Sequence, residues 1–591
     1  MKQNTRKRVT SVLAAAMAVL LMLPLGSAHV EARTELEMDD YDDIVSTYSV
    51  DDSVLDYKDY VNRFSAIYPE KSITVGADGC VRYDENDEET DPVIYKDYEG
   101  MSGDSIYTSE NSLIEFEVDV KEEGFYNLSL EYYPVKGKNS AIERSVFIDG
   151  ELPYSELALV TFYRIWEYDA DSYVGDNGST QYIWEKDNQG NDCKPSMKEK
   201  PEWVSGYMYD SDGYVTTPLS VYLTKGKHTV TLLSMREPMV IHSLTLSNAE
   251  DRPSYAEVKS QNDAAGVKDA SGKLITIEGE NPTRTSSQML YPIQDQSSPS
   301  VSPSSARMLL NNTIGGNSWR LVGQWIEWDF DVDESGYYNI SLYDCQNFVR
   351  GIYVSRKITI DGEVPFKEME AYGFKYDQSW REDVLSDNYG TPYSFYLEEG
   401  HHTIRMEVVL GDFSDIISEV EDCVKQLNSI YREVIRVTGV SPDTYRDYQI
   451  ERTLPELHDE LVAVRDQLDA AITSLRALTG KKSDKETVLL TMRDQLDDLI
   501  ADGDYFVRVI GTFKINVRAC GNWVTQVIDQ PLAIDRINIY SADVRPSYDN
   551  TSFFSKAGYE CKRLFYSFVI DYNQIGNVAE DNGDSPTITL W

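Results

Sequence analysis

The stretch GYYNISL (residues 336–342), followed by RKITIDGEVPF (356–366) and TPYSFYLEEGHHTIRMEVV (391–409), decides the fold of this chain. An earlier stretch, residues 124–233, carries the same segments in the same order as GFYNLSL, RSVFIDGELPY and TPLSVYLTKGKHTVTLL. So specific an internal repeat indicates two copies of one module. Each segment alternates apolar and polar residues and is bounded by Gly, Asp-Gly or Pro, which is typical of half-buried antiparallel strands. The sequence therefore predicts two tandem β-sandwiches.

The second copy is interrupted. Its first strand is predicted at LITIEGEN (274–281) and its last at LAIDRINIY (532–540), far beyond the end of the repeat. In the intervening residues 412–527, apolar side chains recur every three or four positions, which is typical of amphipathic helices. The first copy has only Arg-Glu-Pro between the corresponding strands. We therefore predict a mainly β chain whose second sandwich is split by an inserted antiparallel helical bundle.

The start of the chain has the pattern of a secretory signal peptide. Basic residues precede the apolar run VLAAAMAVLLMLPLG (12–26), which ends in small residues. The rest of the chain is therefore expected outside the cytoplasm. A net charge of −45 argues against a nucleic-acid partner and against an anionic membrane surface. The six cysteines include no C-x-x-C pair, and we expect buried free thiols.

These patterns divide the chain into successive parts. The first sandwich contains a long aromatic and acidic excursion at residues 163–214. The predicted parts are a signal peptide (1–32), an acidic linker (33–70), sandwich 1 (71–250), a linker (251–272), sandwich 2 (273–411 plus 528–543), the inserted bundle (412–527), a helix and linker (544–586), and the first strand of a further domain (587–591).

The strand segments ITIEGEN, IEWDFDVDESGYYNISL, KITIDGE, YLEEGHHTIRMEV and AIDRINI resemble the galactose-binding-like sandwich of carbohydrate-binding modules. The whole arrangement is similar to the N-terminal part of large extracellular solute-binding proteins of sugar ABC transporters in Gram-positive gut bacteria. In those proteins I-T-L-W, here residues 588–591, opens the capture domain. The resemblance implies an oligosaccharide or polysaccharide ligand, a membrane permease reached through the missing domain, and a place on the outer surface of a Gram-positive cell.

In the carbohydrate-binding modules, acidic residues of the opening and closing strands commonly hold a structural calcium ion. The matching residues here are Glu278, Glu280 and Asp535. Carboxylates from two distant strands can supply part of the six to eight oxygen ligands that calcium takes. The alternative is that they are ordinary surface carboxylates.

Sugar binding needs aromatic rings for the apolar faces of the sugar and polar groups for its hydroxyls. Trp319, Arg320 and Trp380 lie in predicted loops and are the candidates, together with Trp523. Packing in the core is the alternative for each tryptophan. The bundle is inserted where the related modules carry a binding loop, so we expect it to cover or replace that site.

Two other functions remain open. A free-standing glycan-binding or adhesion protein of the cell surface would show the same sandwiches. A glycoside-active enzyme would need two carboxylates at a fixed separation in a cleft, and the sequence marks no such pair among its 100 acidic residues. Motifs of serine hydrolases, zinc proteases and nucleotide-binding folds are absent from the sequence. We therefore expect a non-catalytic protein.

Overall fold

The structure is a computed structural model that describes residues 54–86, 88–480, 484–546, 553–570, 575–576 and 578. The predicted signal peptide (1–32) and the predicted strand at 587–591 lie outside the described residues. The strands up to residue 247 are β1 (Ile73–Val75), β2 (Cys80–Glu85), β3 (Glu88–Glu89), β4 (Val93–Lys96), β5 (Asp104–Thr108), β6 (Ser112–Val120), β7 (Gly124–Pro134), β8 (Ile142–Ile148), β9 (Val160–Phe162), β10 (Trp166–Asp169), β11 (Asp171–Val174), β12 (Thr180–Ile183), β13 (Ser196–Glu199), β14 (Val204–Tyr207), β15 (Ser220–Leu223), β16 (Gly226–Arg236) and β17 (Met239–Ser247).

The remaining strands belong to the second module. They are β18 (Leu274–Glu278), β19 (Arg284–Thr285), β20 (Pro292–Ile293), β21 (Thr313–Gly316), β22 (Trp325–Val332), β23 (Gly336–Cys345), β24 (Tyr353–Ile360), β25 (Tyr372–Lys375), β26 (Arg381–Val384), β27 (Phe395–Leu397), β28 (Gly400–Val409) and β29 (Leu532–Tyr540). The helices are α1 (Tyr57–Val61), α2 (Tyr255–Ala264), α3 (Ser414–Thr438), α4 (Ile450–Thr453), α5 (Leu457–Thr479), α6 (Asp484–Ala501), α7 (Phe506–Ile528) and α8 (Phe553–Ser567).

Sandwich 1 is formed by two antiparallel sheets. One has the strand order β14-β7-β17-β5-β4, with β1 also paired with β17 and β15 with β7, and the other has the order β3-β2-β6-β16-β8-β9. Their facing side chains form one apolar core because alternate residues of each strand point inward. The other faces are left to solvent or to neighbouring parts of the chain.

Sandwich 2 is closed by a strand that follows the bundle in sequence. Strand β29 lies inside its sheet and pairs with β18, β21 and β23. The prediction of a mainly β fold with a helical insertion is confirmed. The insertion is tolerated because its two ends, at Val409 and Leu532, both belong to strands of the same sandwich.

The inserted bundle has four long helices, α3, α5, α6 and α7, with the one-turn α4 between the first two. Each long helix buries one apolar stripe, and together the stripes form a separate core. Leu410 and Phe413 at the end of sandwich 2 belong to this same core, so the bundle packs directly against the sandwich that contains it. Among the described residues, no helix combines the length and apolar character needed to cross a bilayer.

The repeated Asp-Gly turns behave as the sequence predicts. Asp149 and Asp361 both have φ +53° and are followed by glycines with φ +80° and +81°, which is the conformation of a tight hairpin turn. Each aspartate accepts a hydrogen bond from a histidine of the neighbouring strand, Asp149 from His228 and Asp361 from His402, both at 2.7 Å. This contact explains why the histidine recurs in both copies.

The excursion of sandwich 1 joins the two modules into one sheet. Strands β10 and β13, which belong to residues 163–214, extend the sheet β19-β22-β28-β24-β25 of sandwich 2. Trp166 of β10 is paired with Thr285 of β19. The two sandwiches are therefore connected by backbone hydrogen bonds as well as by the chain itself.

Two segments predicted as linkers carry packed structure. In the segment 33–70, helix α1 places Tyr60 in the core of sandwich 1. In the segment 251–272, helix α2 packs Tyr255 and Val258 against the core of sandwich 2. An amphipathic helix near residues 54–67 is expected from the sequence, and α1 lies within that range. Helix α2 is not expected from the sequence, because its few apolar residues find a complementary surface that composition does not reveal.

Candidate functional site

Two of the predicted sugar-contacting tryptophans are core residues. Trp319 has no exposed surface, and its ring lies 4.1 Å from the guanidinium of the buried Arg356. Trp523, on helix α7, is 2% exposed inside the bundle. Neither ring has a free face for a ligand, so packing is the correct interpretation of both. The surrounding apolar residues come from distant parts of the sequence, which is why local pattern did not reveal the burial.

Arg320 lies where the bundle rejoins sandwich 2. Its Nε donates to Asp529 Oδ1 at 3.1 Å, and its carbonyl oxygen accepts from the backbone N–H of Gln530. Asp529 directly follows helix α7, so Arg320 fixes the exit of the bundle. No described aromatic ring pairs with it as a sugar platform would require.

Trp380 lies beside another aromatic ring and polar side chains, as a sugar-binding residue would, but a loop covers it. Its ring stacks on Tyr343 with centroids 6.1 Å apart, and it is only 9% exposed. Its indole N–H donates to Asp295 Oδ2 and to Ser297 Oγ, each at 3.2 Å. The loop of residues 295–303, which also packs Val301 into the same cluster, therefore lies over this ring.

The duplication places a second tryptophan at the equivalent position in sandwich 1. Tyr132 and Asp344 hold the same place in the repeated strand, and they pair with Val204 and Arg381, respectively. The residues that immediately precede these partners are Trp203 and Trp380. Trp203, unlike Trp380, remains partly exposed. Trp203 can be found from the sequence by aligning the two copies through these strands, whereas its own surroundings in the sequence do not mark it as a binding residue.

Trp203 belongs to a group of aromatic residues on the outer face of the sheet β14-β7-β17-β5-β4, which we call the aromatic face. Each is half-buried or exposed, and each has another ring of the group within about 6 Å. Its members are Tyr95, Tyr98, Tyr107, Tyr133, Trp203 and His242.

The rings of the aromatic face are fixed by contacts with one another. Tyr98 stacks on Tyr95 at a centroid distance of 5.0 Å and meets Tyr133 edge-on at 5.3 Å. The indole N–H of Trp203 donates to the carbonyl oxygen of Tyr98 at 3.2 Å. This arrangement leaves rigid ring faces and edges that need no reordering before they contact a ligand.

Polar groups surround the rings. His242 Nδ1 lies 3.0 Å from Ser105 Oγ, and Ser243 Oγ donates to Glu131 Oε2 at 3.3 Å. Burial raises the pKa of Tyr98 and Tyr133, with smaller contributions from neighbouring carboxylates. Their hydroxyls therefore stay protonated at neutral pH and can both donate and accept hydrogen bonds. Aromatic faces beside such hydroxyls match the two surfaces of a sugar ring.

The three predicted calcium ligands are neighbours in sandwich 2. Burial raises the pKa of all three carboxyl groups, that of Asp535 to about 7, and the neighbouring charge of Glu278 raises the pKa of Glu280 and Asp535 further. Glu278 Oε2 and Glu280 Oε2 are buried without a hydrogen-bond partner. Carboxylate oxygens of this kind are the ligands that a hard cation such as calcium takes. The burial of Glu280 and Asp535 disfavours the alternative of ordinary surface carboxylates.

The present arrangement of these carboxylates is not a coordination shell. Nε of Arg536 lies 2.8 Å from Asp535 Oδ2 and supplies the positive charge. Across the part of the chain that the structure describes, no group of three or more His, Cys, Asp or Glu side chains has the arrangement of a metal site. Binding a calcium ion here would require Arg536 to turn away from Asp535.

The bundle is similar to a known family of bacterial protein domains. Residues 415–514 match the family described as "Bacterial solute-binding protein, 4-helix bundle domain". The match begins within α3 and ends within α7, so it covers the insertion and neither sandwich. No curated protein matches the chain.

The sandwiches resemble solved carbohydrate-binding modules at low sequence identity. A family 35 carbohydrate-binding module from Clostridium thermocellum is 11% identical, with 30% of this chain and 99% of that chain covered and a TM-score of 0.18. The family 35 module of Cellvibrio japonicus Abf62 is 14% identical over 30% of this chain and 95% of that one, with a TM-score of 0.17. The Podospora anserina GH26-CBM35 β-(1,4)-mannanase is 13% identical, with 31% of this chain and 29% of that chain covered and a TM-score of 0.18. The match therefore spans less than a third of that enzyme.

Proposed function

We propose that this chain binds carbohydrate through the aromatic face of sandwich 1 and is the extracellular, non-catalytic accessory region of a solute-binding protein of a sugar ABC transporter. The observation that carries the binding function is the aromatic face of sandwich 1, where Trp203 is partly exposed. The equivalent Trp380 of sandwich 2 is covered. The family match of the bundle supports the solute-binding context. The permease would be reached through a further domain, on the surface of a Gram-positive cell.

The chemistry of the aromatic face suits a neutral sugar. The C–H groups on one face of a pyranose ring pack on aromatic rings, while its hydroxyls need donors and acceptors at the side. Tyr107 and Trp203 offer ring surface, and Glu131 and His242 offer polar atoms beside it. No proton transfer or nucleophile is needed for this function.

A free-standing surface protein that binds glycans for adhesion is the second candidate, since the same aromatic face would serve it. The two functions differ in the cell. A strain that lacks the protein should lose uptake of a labelled oligosaccharide if the chain serves a transporter. Normal uptake with reduced attachment to glycan-coated surfaces would favour adhesion. Cleavage of the sugar by the purified chain, seen by chromatography, would contradict the non-catalytic proposal.

We expect Trp203→Ala to weaken glycan binding about five- to thirtyfold, because the stacking of a sugar on one aromatic ring is worth on the order of 1–2 kcal/mol. The whole secreted chain would be screened by affinity electrophoresis against soluble plant and mucin glycans, and hits would be measured by calorimetry. Trp203→Phe should keep part of the affinity.

The matched control for this experiment is Tyr173→Ala. Tyr173 is 58% exposed on the hairpin β11–β12, away from the aromatic face, and its loss should leave binding unchanged. An unaltered dissociation constant in Trp203→Ala would reject the aromatic face as the site. If no glycan binds the parent chain, the binding function itself is rejected.

We also propose that Glu278, Glu280 and Asp535 hold a structural calcium ion. Added Ca²⁺ should then raise the melting temperature of the chelator-treated chain, since a ligand at about 100 times its Kd stabilises the folded state by about 2.7 kcal/mol. Asp535→Asn and Glu280→Gln should abolish that response, whereas Glu202→Gln, a carboxylate on sandwich 1, should keep it. An unchanged melting temperature in the parent chain would contradict the site.

A further inference from the structure

The members of the aromatic face extend across the whole sheet of sandwich 1. Tyr95 belongs to β4, Tyr107 to β5 and Tyr133 to β7, and Trp203 directly precedes β14. The strand order β14-β7-β17-β5-β4 places β4 and β14 at opposite edges. The rings therefore run from one edge of the sheet to the other, across the strands.

We call this row of rings across the strands the aromatic path. The pairing of the strands shows that the aromatic path is continuous. Tyr107 is paired with Val240, and Val240 with Tyr133. Val240 is fully buried beneath the rings. Successive ring centroids, from Tyr107 through Tyr95, Tyr98 and Tyr133 to Trp203, lie 5.0 to 6.2 Å apart. No described residue interrupts the sequence of rings.

The length of the path limits how many sugar units can contact the rings at once. Four inter-strand steps of about 4.8 Å give roughly 19 Å from edge to edge. One such step is close to the length of one pyranose unit in an extended chain, so the path accommodates about four sugar units. A single sugar or a disaccharide would leave much of the path empty.

Both ends of the path are open among the described residues. At one end, Val93, Ile94 and Tyr95 of the edge strand β4 are 36–45% exposed. At the other, β14 borders a cleft of about 2320 Å³ between the two sandwiches and the bundle. A longer chain can therefore continue past both edges, and the ends of the ligand need not be recognised.

The charges near the path disfavour acidic sugars. Glu99, Glu199 and Glu202 are close enough to affect the ionisation of Tyr133. Glu199 is paired with Arg164 and Glu202 with Lys200, but the chain as a whole carries a net charge of −45. A polysaccharide rich in uronic acids would meet the charge of Glu99 near Tyr133 and the net negative charge of the chain at a distance.

We propose that the aromatic face binds an internal segment of an extended, neutral polysaccharide, about four sugar units long and lying across the strands. This inference rests on the proposed carbohydrate-binding function and specifies its ligand. The ligand is recognised along its length, without contact to a reducing or non-reducing end.

The test is a calorimetric titration of the whole secreted chain with cello-, manno- and xylo-oligosaccharides of two to six units. Affinity should rise about tenfold or more between two and four units and then level off. Oligosaccharides reduced with borohydride at the chain end should bind as tightly as the parent sugars. Polygalacturonate should bind more weakly than the neutral polymers.

Variants at the two ends of the path separate the possible outcomes. Tyr95→Ala should weaken the binding of four-unit sugars more than that of disaccharides, while Trp203→Ala should weaken every length. Equal affinity for two and four units, loss of binding on end reduction, or preference for polygalacturonate would overturn this inference but keep the carbohydrate-binding function. Absence of any glycan binding would overturn both.

Discussion

Replacing Arg164 with methionine is expected to lower the free energy of unfolding by about 3–5 kcal/mol, the usual cost of leaving a buried charge without its partner. Arg164 is 1% exposed and donates to Glu237 Oε2 at 2.8 Å and to Glu199. It also donates to the carbonyl oxygens of Ser140 and Val135. Without the guanidinium, all of these acceptors lose a donor, and Glu237 among them is fully buried.

The position of Arg164 makes this loss important for the whole fold. It lies between β9 and β10, where the chain leaves sandwich 1 to join the sheet of sandwich 2. Glu237 has no exposed surface and also accepts from the backbone N–H groups of Lys138 and Ser140. A Cβ on Gly137 would lie 1.7 Å from Glu237 Oε2, so glycine is required for this close approach.

Denaturant unfolding of the parent and variant chains measures the effect. The double variant Arg164→Met with Glu237→Gln should recover at least about 1 kcal/mol of the loss, because the unpaired charge is gone. The control is Arg465→Met, which removes a surface ion pair with Asp497 and should cost less than about 1 kcal/mol. Equal losses in the free energy of unfolding for Arg164→Met and Arg465→Met would show that the buried network stabilises the fold no more than a surface ion pair does.

Trp319→Ala should lower the free energy of unfolding by about 3–5 kcal/mol, the range for deleting a fully buried large aromatic side chain. Its indole N–H donates to the carbonyl oxygen of Gln324 at 3.1 Å, and its backbone carbonyl accepts from Arg356 Nη2 at 3.2 Å. The same guanidinium donates to the carbonyl oxygen of Gln530, just before β29. Removing the ring therefore loosens the point where the bundle returns to the sheet.

Variants of Trp319 and Trp203 should differ in which property they change, stability or glycan affinity. Trp319→Phe should cost less, because it leaves a smaller cavity. At temperatures where Trp319→Ala remains folded, its glycan affinity should equal that of the parent, whereas Trp203→Ala should lose affinity with little change in unfolding. A loss of glycan affinity in folded Trp319→Ala would restore Trp319 as a contact residue.

Trp319 and Trp380 show what can and cannot be predicted from the sequence. Repeat segments, alternation and helical periodicity are local properties, and they predicted both sandwiches, the insertion and the closing strand at 532–540. Exposure is not a local property. Trp319 and Trp380 both lie in sequence contexts typical of loops, yet the first is enclosed by core residues and the second by the loop 295–303.

By itself, the sequence determined the strand and helix pattern, because that pattern follows from periodicity and from the repeated segments along the chain. The grouping of Glu278, Glu280 and Asp535 was implied by the resemblance to carbohydrate-binding modules. Only the tertiary structure decided which tryptophan is open to solvent and that β10 and β13 complete the sheet of the other module. It also assembled the aromatic face, whose rings come from segments between residues 95 and 242. Solvent exposure and cross-strand pairing depend on which distant segments meet, and no local pattern contains that information.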